Sequence, residues 1–520
     1  MNNNQNTYQQ QMGAPTGAPM MPPPPMRQSM AARARRLRKL ENNLFPRWLT
    51  QYSIVAYLLA LMAVTFMYSS HSLPWYYMLS GVIAVTVFFL YGSHLAEKTF
   101  VVKMNKGVRF EKQIFLVSFV LCVVWMSLIY ALFMQNYGDA FGFESGDAFY
   151  YDELGQFTAN MMERSDYHFY DAISQWSGNS NIDDMGYGIY VGVVYLLTDH
   201  SIIAVRLLKC LWAALTVVLI YRLAKRNFGD QTARIAAIFC ALLPNFWYYS
   251  GTHLKETEMT FLAVLFIEQA DQMLRSRQFT AWKVIPVLLI AAAMFTFRTP
   301  LGMIALLALV FSVVMSSTKV VSWGKRIIIG VLAVVLIGIV AGERIQERAE
   351  YLYERVQSNE QQKNMEWRAT KKEGNAFAKY ASAAVFAPMI FTIPFPTMSV
   401  AADQQDLQQL LNGGNFIKNV MSAFNILAVI VLLLSGKWRE LILSLSFMLG
   451  YLVVLTMSVF AQSGRFHMPV MPLEFMFAAY GLSIVVTKKK YKRWFMYWCV
   501  IMFVAAIAWN WFKLAGRGLV

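Results

Sequence analysis

Long apolar runs separated by short polar or charged segments repeat along most of this 520-residue chain. Thirteen of them lie near residues 51–69, 75–95, 113–134, 201–221, 232–250, 255–273, 282–297, 299–316, 325–342, 418–435, 438–460, 470–487 and 492–511. Each is long enough to cross a hydrocarbon core of about 30 Å as a helix. The pattern predicts an all-α polytopic membrane protein of about 13 transmembrane helices, with an outer-face amphipathic-helix loop. The alternating segments of ~10 residues that a membrane β-barrel needs do not dominate anywhere.

Charge placement tests the alternation. Basic residues cluster at Arg33 to Lys39, Lys98 to Lys112, Arg222 to Arg226, Arg275 to Arg277, Lys319 to Arg326, Lys437 to Arg439 and Lys488 to Arg493. A cytoplasmic N-terminus puts all seven clusters on the cytoplasmic side, as the positive-inside rule requires. The same parity decides two ambiguous stretches. Met185 to Thr198 is too short to span, and Ser382 to Ala402 contains Pro388, Pro394 and Pro396. Counting either as a span would invert the basic loops that follow, so both read as interfacial or re-entrant, packed on protein.

The chain thus divides into a disordered and basic cytoplasmic tail (1–49), N-terminal spans (50–134), an acidic outer loop (135–200), core spans (201–342), a second outer loop (343–417) and C-terminal spans (418–520). Glu343 to Lys379, with sparse apolar residues at Ile345, Leu352 and Val356, reads as a solvated surface helix. The tail holds PPPP at Pro22 to Pro25 and cannot bury enough apolar surface to fold.

Composition then narrows the function. The net charge is +16, with 57% hydrophobic and 15% charged residues. Because the basic residues sit between apolar runs, the charge reports membrane orientation and lipid contact, not nucleic-acid binding. Cys122, Cys210, Cys240 and Cys499 all fall in apolar runs, so they form neither a disulfide framework nor a metal-ligand spacing. No Gly-rich or Walker pattern marks a nucleotide site. An enzyme acting outside the membrane would then need a lipid-linked activated donor.

Chemistry concentrates in the outer loop. Gln135 to Met185 carries ten of the chain's 30 acids and a single Arg. Within it Tyr150, Leu154, Phe157 and Met161 recur at helical spacing, predicting an amphipathic helix on the membrane surface. Asp147 precedes that helix, as either a helix cap or a general base. Asp152 and Glu153 lie one turn in, as either a solvated face or further acids. Outward basic residues oppose the positive-inside bias: Arg206 and Lys209 near the start of one span, Lys255 beside Glu256, Arg298 in a tight hairpin, and Arg465 with His467 in GRFHMPVMP. Charges at the membrane call for named partners. The acidic loop and a lipid phosphate stand equally for Arg206, phosphate is preferred for Arg298 and Arg465, and Lys209 can also snorkel.

These residues resemble a known family. GDAFYYDELGQFTA looks like the first outer loop of GT-C type membrane glycosyltransferases, in the branch of the dolichyl-phosphate-mannose protein mannosyltransferases. GIYVGVVYLLTDHSIIAVRLLKCLWAALTVVLIYRLAKRNFGDQTARIAAIFCALLPNFWYYSGTHLKETEMTFLAVL resembles that family's paired spans joined by a short "aRNFG"-like turn. FRTPLG is similar to a later outer hairpin, and GRFHMPVMPLEFMFAAYGL to a late element opening a span. The resemblance covers residues 140–316 and, less closely, 460–487; two additional spans precede the family's usual first one.

The resemblance implies a sugar moved from a polyprenyl-phosphate carrier to a protein, glycan or lipid-linked acceptor on the extracytoplasmic face, with inversion. It implies that Asp147 is the base, because Tyr151 follows at the family's distance, with Asp152 and Glu153 as the alternative pairing. It gives Glu256 as a second acid that orients the acceptor or a divalent metal. Lys255, Arg298 and Arg465, with Arg206 and His467 as further candidates, would bind the donor phosphate. No cofactor is certain, and metal dependence stays open. The expected location is a bacterial cytoplasmic (inner) membrane. Two other classes remain: a polysaccharide polymerase or ligase using a lipid-diphosphate-linked glycan, and a lipid-linked-sugar transporter or flippase.

Overall fold

The computed structural model describes residues 45–101, 107–142, 146–164, 182–276, 281–316, 389–400, 409–456, 463–485, 491–515 and 518–520, with isolated positions between 324 and 335. Helices account for nearly all of it: α1 (Arg47–Met67), α2 (Trp75–Thr86), α3 (Gly92–Val101), α4 (Gly107–Tyr137), α5 (Gly146–Glu163), α6 (Ile182–Thr198), α7 (Ile202–Phe228), α8 (Asp230–Leu242) and α9 (Pro244–Gly251). There follow α10 (Glu256–Arg275), α11 (Ala281–Phe297), α12 (Thr299–Met315), α13 (Asn412–Leu434), α14 (Ile442–Thr456), α15 (Gly464–His467), α16 (Met471–Val485) and α17 (Tyr491–Ala515). A five-residue π-helical turn, Val87–Tyr91, joins α2 to α3. Among the described residues the only extended pairing is an isolated antiparallel bridge between Ser72 and Ser399.

Six helical segments are long and apolar enough to cross a membrane: Arg47–Met67, Trp75–Ala96, Arg109–Tyr137, Ile202–Phe228, Asn412–Leu434 and Tyr491–Ala515. Shorter apolar helices occupy 185–198, 282–297, 299–315, 442–456 and 471–485. The protein is therefore multi-pass, but the count of thirteen is not reached among the described residues. The run 232–250 is two helices, because Leu243, held extended at ψ 120° by the Pro244 that follows, interrupts it. The 255–273 run is a 20-residue helix carrying Glu256, Glu258, Glu268 and Asp271. The 325–342 run, apart from isolated helical positions, and the surface helix expected over 343–379 lie outside the described residues.

Polar contacts sort the connecting segments into two ends. At one end, Arg226 pairs with Glu268 and Asp271, each at 2.6 Å. Arg275 there donates to the Asn227 side chain and the Glu440 carbonyl, both at 2.8 Å, and Arg222 meets Glu111 at 2.7 Å. These residues all border the basic loops. At the other end the Val400 amide donates to the His71 carbonyl at 2.8 Å, and the acidic loop meets the segments near Lys255 and Arg465. Every one of these contacts joins segments that the alternation puts on the same side. Helix α6 keeps to the second end: the Tyr187 ring lies 6.1 Å from Phe297 and 6.2 Å from His253, and that of Tyr195 lies 6.4 Å from His253. It packs there as a short helix, as its length demands.

The acidic-loop helix α5 differs from its expected orientation. Leu154 and Met161 are buried, but Tyr150 and Phe157 are exposed. The packed face is Ala148, Tyr151, Asp152, Gly155 and Thr158, set against α6. Glycines decide this: a Cβ on Gly192 would come within 2.6 Å of Thr158 Cβ, and one on Gly188 within 2.9 Å of Leu154 Cδ2. Close approach of two small-residue faces wins over the stripe read from hydropathy.

The proline-rich stretch is irregular and buried, so its backbone groups need side-chain partners. Asn510 on α17 accepts from the Met398 amide (2.7 Å) and Ser399 hydroxyl (2.9 Å) and donates to the Pro396 carbonyl (3.1 Å). Asn419 on α13 donates to the Pro394 carbonyl at 3.0 Å and to the carbonyl of Thr392. Asn510→Ala strands two backbone groups, each worth about 1–3 kcal/mol when buried and unpaired. A fall of several degrees in the detergent-solubilised unfolding midpoint is expected, whereas Asn136→Ala on the exposed end of α4 should leave it unmoved.

Candidate functional site

Four segments distant in sequence deliver charged side chains to one point. Helix α5 supplies Asp147 from its first turn, inside the helix and not ahead of it. The start of α10 supplies Lys255, at the cap position, and Glu256, whose carboxylate suits a helix N-terminus. The hairpin between α11 and α12 supplies Arg298, and the one-turn α15 supplies Arg465 and Phe466.

Arg465 is the junction. Its Nε donates to Glu256 Oε1, and its terminal nitrogen donates to Asp147 Oδ2. Burial works against the guanidinium charge, but Glu256 foremost, with Tyr151 and Asp147 after it, outweighs it and holds the group protonated. Its two partners are not equivalent. The Glu256 side chain is 0% exposed and that of Asp147 is 54% exposed. Removing one partner of a buried pair costs about 3–5 kcal/mol, whereas an exposed pair contributes about 0–1 kcal/mol. Glu256–Arg465 is thus the fixed half, and Asp147 can exchange Arg465 for another partner at little cost.

The remaining cations lie alongside. The Phe466 ring lies near two guanidinium groups, 4.4 Å from that of Arg298 and 5.6 Å from that of Arg465. Buried Lys255 donates to the Phe297 carbonyl at 2.9 Å and sits 5.5 Å from the Tyr151 ring centre. Lys255, Arg298 and Arg465 against Asp147 and Glu256 leave an excess of positive charge, suited to one phosphodiester.

A second group adjoins it on the α6 side. Asp152 is buried, accepting from the Tyr195 hydroxyl and, at 2.7 Å, from Gln156. The solvated-face alternative fails for Asp152, while Glu153 is exposed and keeps it. Burial raises the Asp152 carboxyl above its usual range, against the pull of those hydrogen bonds. His253 Nε2 lies 4.0 Å from Asp152, but this is not an ion pair: burial first, then Lys209 and Arg206, push the ring well below its ordinary pKa. Arg206 is fully buried, donating to the Ala140 carbonyl at 2.7 Å and lying 5.9 Å from the Tyr130 ring. Lys209 does not snorkel. It is fully buried, paired with Glu258 at 3.0 Å and donating to the Leu254 carbonyl.

His467, grouped with the phosphate-binding candidates by sequence, meets Lys418 at 3.0 Å. Sequence reading overlooked Lys418, Glu258 and Glu474. Lys418 and Glu474 are lone charges in or at the edge of apolar runs, a signal that itself marks an intramembrane site, whereas Glu258 follows Lys255 and Glu256 at the start of one. Phe466 and Tyr195 carried no such signal. Among the described residues no three His, Cys, Asp or Glu side chains cluster as metal ligands. Asp147 and Glu256 share the Arg465 guanidinium, so a divalent ion between them would have to displace it.

Residues 188–341 match the family model described as dolichyl-phosphate-mannose-protein mannosyltransferase. No curated protein and no solved structure matches the chain. The match bears out the resemblance to GT-C type membrane glycosyltransferases over that stretch, which includes Arg206, Lys255, Glu256 and Arg298. Asp147, Asp152, Glu153, Arg465 and His467 lie outside it; Arg465 is joined to it through Glu256, Asp147 through Arg465, and Asp152 through Tyr195.

The neutral His253 ring has a consequence for stability. A histidine whose folded pKa is depressed stabilises fully above its unfolded value, near 6.5, and less as pH falls below that. Asp152, with its raised pKa, acts in the opposite sense, losing stability as pH rises above its unfolded value near 3.9. Between pH 7.5 and pH 5.5, values chosen to bracket about 6.5, the unfolding midpoint should drop. His253→Gln should flatten that drop, and an unchanged slope would count against a neutral buried ring.

Proposed function

We propose that the protein is a membrane glycosyltransferase that moves a sugar from a polyprenyl-phosphate carrier to a protein, glycan or lipid-linked acceptor. The observation that carries this reading is Arg465 bridging Asp147 and Glu256 beside Arg298 and Lys255. A base and an anion-binding group are thereby held together at one end of a helical bundle. The family match over 188–341 supports the same reaction class.

Each residue then has a task. The donor phosphate enters among Lys255, Arg298 and Arg465, and draws Arg465 from the exposed, weakly held Asp147. Freed, the Asp147 carboxylate takes the proton of the acceptor nucleophile as that atom bonds to the anomeric carbon. The bond from that carbon to the phosphate oxygen breaks, and the electron pair leaves on polyprenyl phosphate. The cations stabilise the charge that develops there. Attack opposite the departing oxygen inverts the anomeric centre. Glu256 keeps Arg465 in place throughout.

The positive-inside bias of the basic loops supports an extracytoplasmic position for the opposite end, with this cluster, and a bacterial inner membrane is the membrane proposed. An impermeant maleimide should therefore label Asn136→Cys in intact cells.

Purified protein in nanodiscs, given labelled polyprenyl-phosphate sugar and acceptor, should release polyprenyl phosphate. Asp147→Asn should slow release by about 10²–10⁴-fold, the usual contribution of a positioned base. Full activity in Asp147→Asn would remove it from the mechanism, and the same assay on Asp152→Asn tests the alternative. Turnover of a lipid-diphosphate-linked glycan, with none of the monophosphate donor, would replace the transferase reading with a polymerase.

A further inference from the structure

Lys418 sits in the second turn of α13, 2% exposed, within a helix long and apolar enough to span. Its ammonium has three partners, each on a different segment. It donates to the Ile393 carbonyl at 2.6 Å, lies 3.0 Å from His467 Nδ1 and lies 3.5 Å from Glu474 Oε2. Because an ammonium can only donate, Nδ1 is the acceptor, and the imidazole proton sits on Nε2. One side chain thus ties α13 to the proline-rich stretch, to α15 and to α16.

Mere packing does not call for this. Replacing a buried ion pair by apolar side chains of similar size is often neutral or stabilising. An apolar residue cannot hold the ring of His467, however, and His467 ends the same single turn that carries Arg465 and Phe466. On so short a helix the three side chains move together. Gly464, at its start, already packs so closely that a Cβ there would lie 3.1 Å from Asn415 Oδ1 on α13. Beside Lys418 a small cavity is lined by Ser422, Asn425, Glu474 and Phe475. The Asn425 amide is 1% exposed, and among the described residues neither of its polar atoms has a hydrogen-bond partner.

We propose that Lys418 is a positioning residue for the transfer, holding His467 and the Ile393 carbonyl so that α15 aims Arg465 and Phe466 at the donor phosphate. This rests on the glycosyl-transfer reading above, but its test separates the two. Lys418→Met with Glu474→Gln removes both charges, leaving neither buried alone. In full-length protein in nanodiscs the double variant should keep its monodispersity and melt near wild type. Its kcat for labelled donor should fall about 10- to 100-fold, the scale of a small misplacement, with acceptor KM unchanged. Hydrogen exchange over 464–468 should rise, and Arg465→Lys should cost less in this background than in wild type.

A purely structural role would lower yield and midpoint while leaving kcat per folded molecule within about twofold of wild type. That result, or unchanged exchange over 464–468, overturns the proposal. Should the double variant fail to fold, His467→Asn, which keeps an acceptor near Nδ1, should retain more activity and slower exchange than His467→Leu. Equal behaviour of those two also overturns it. A wild-type protein inactive on every polyprenyl-phosphate sugar removes the function proposed above, and the exchange comparison still judges Lys418.

Discussion

A single guanidinium holds the functional end of this protein together. Arg465 reaches Glu256 and Asp147, residues 209 and 318 positions away in sequence. Nothing apolar could do this, because the site must gather charge at the margin of a membrane protein where each uncompensated charge is costly. The buried Glu256 partner supplies the compensation, and the exposed Asp147 partner is held more weakly. The asymmetry of exposure between two chemically similar carboxylates separates a fixed partner from an exchangeable one.

The same constraint acts on the backbone. Around residues 392–399 the chain leaves helical geometry, and Asn419 and Asn510 take up the groups that a helix would have satisfied internally. That arrangement gives α15 a firm floor, since Lys418 binds both the irregular stretch and His467. The arrangement at one end thereby rests on amides and an ammonium placed on long apolar helices. At the opposite end, Arg226 and Arg275 bind α7, α10 and the turn before α14 through carboxylates and carbonyls.

Much of this was legible in residue order, and the failures have physical reasons. Apolar runs marked the helices because helices satisfy their own backbone, so hydropathy alone finds them. Basic loops marked the alternation, and the contacts at the two ends agree with it. The cations Lys255, Arg298 and Arg465 stood out because they sit on the wrong side for positive-inside bias, and the fold brings all three together. The break at Leu243–Pro244 was readable in principle from the proline. The orientation of α5 was not: its stripe of Tyr150 and Phe157 gave way to close glycine packing with α6, which depends on a partner's shape.

By itself the sequence determined a multi-pass helical protein, the alternation of its loops, a concentration of acids in one loop and likeness to a glycosyltransferase family over its middle. These properties are local or additive, summed along a run of residues. Tertiary structure alone decided that Asp152 is buried against Tyr195, that Lys209 pairs with Glu258 and does not snorkel, and that His467 serves Lys418. It also decided that Arg465 faces Glu256 and Asp147. Pairing and burial are relations between segments hundreds of residues apart, and a charge acquires its role only from the neighbours that folding brings to it.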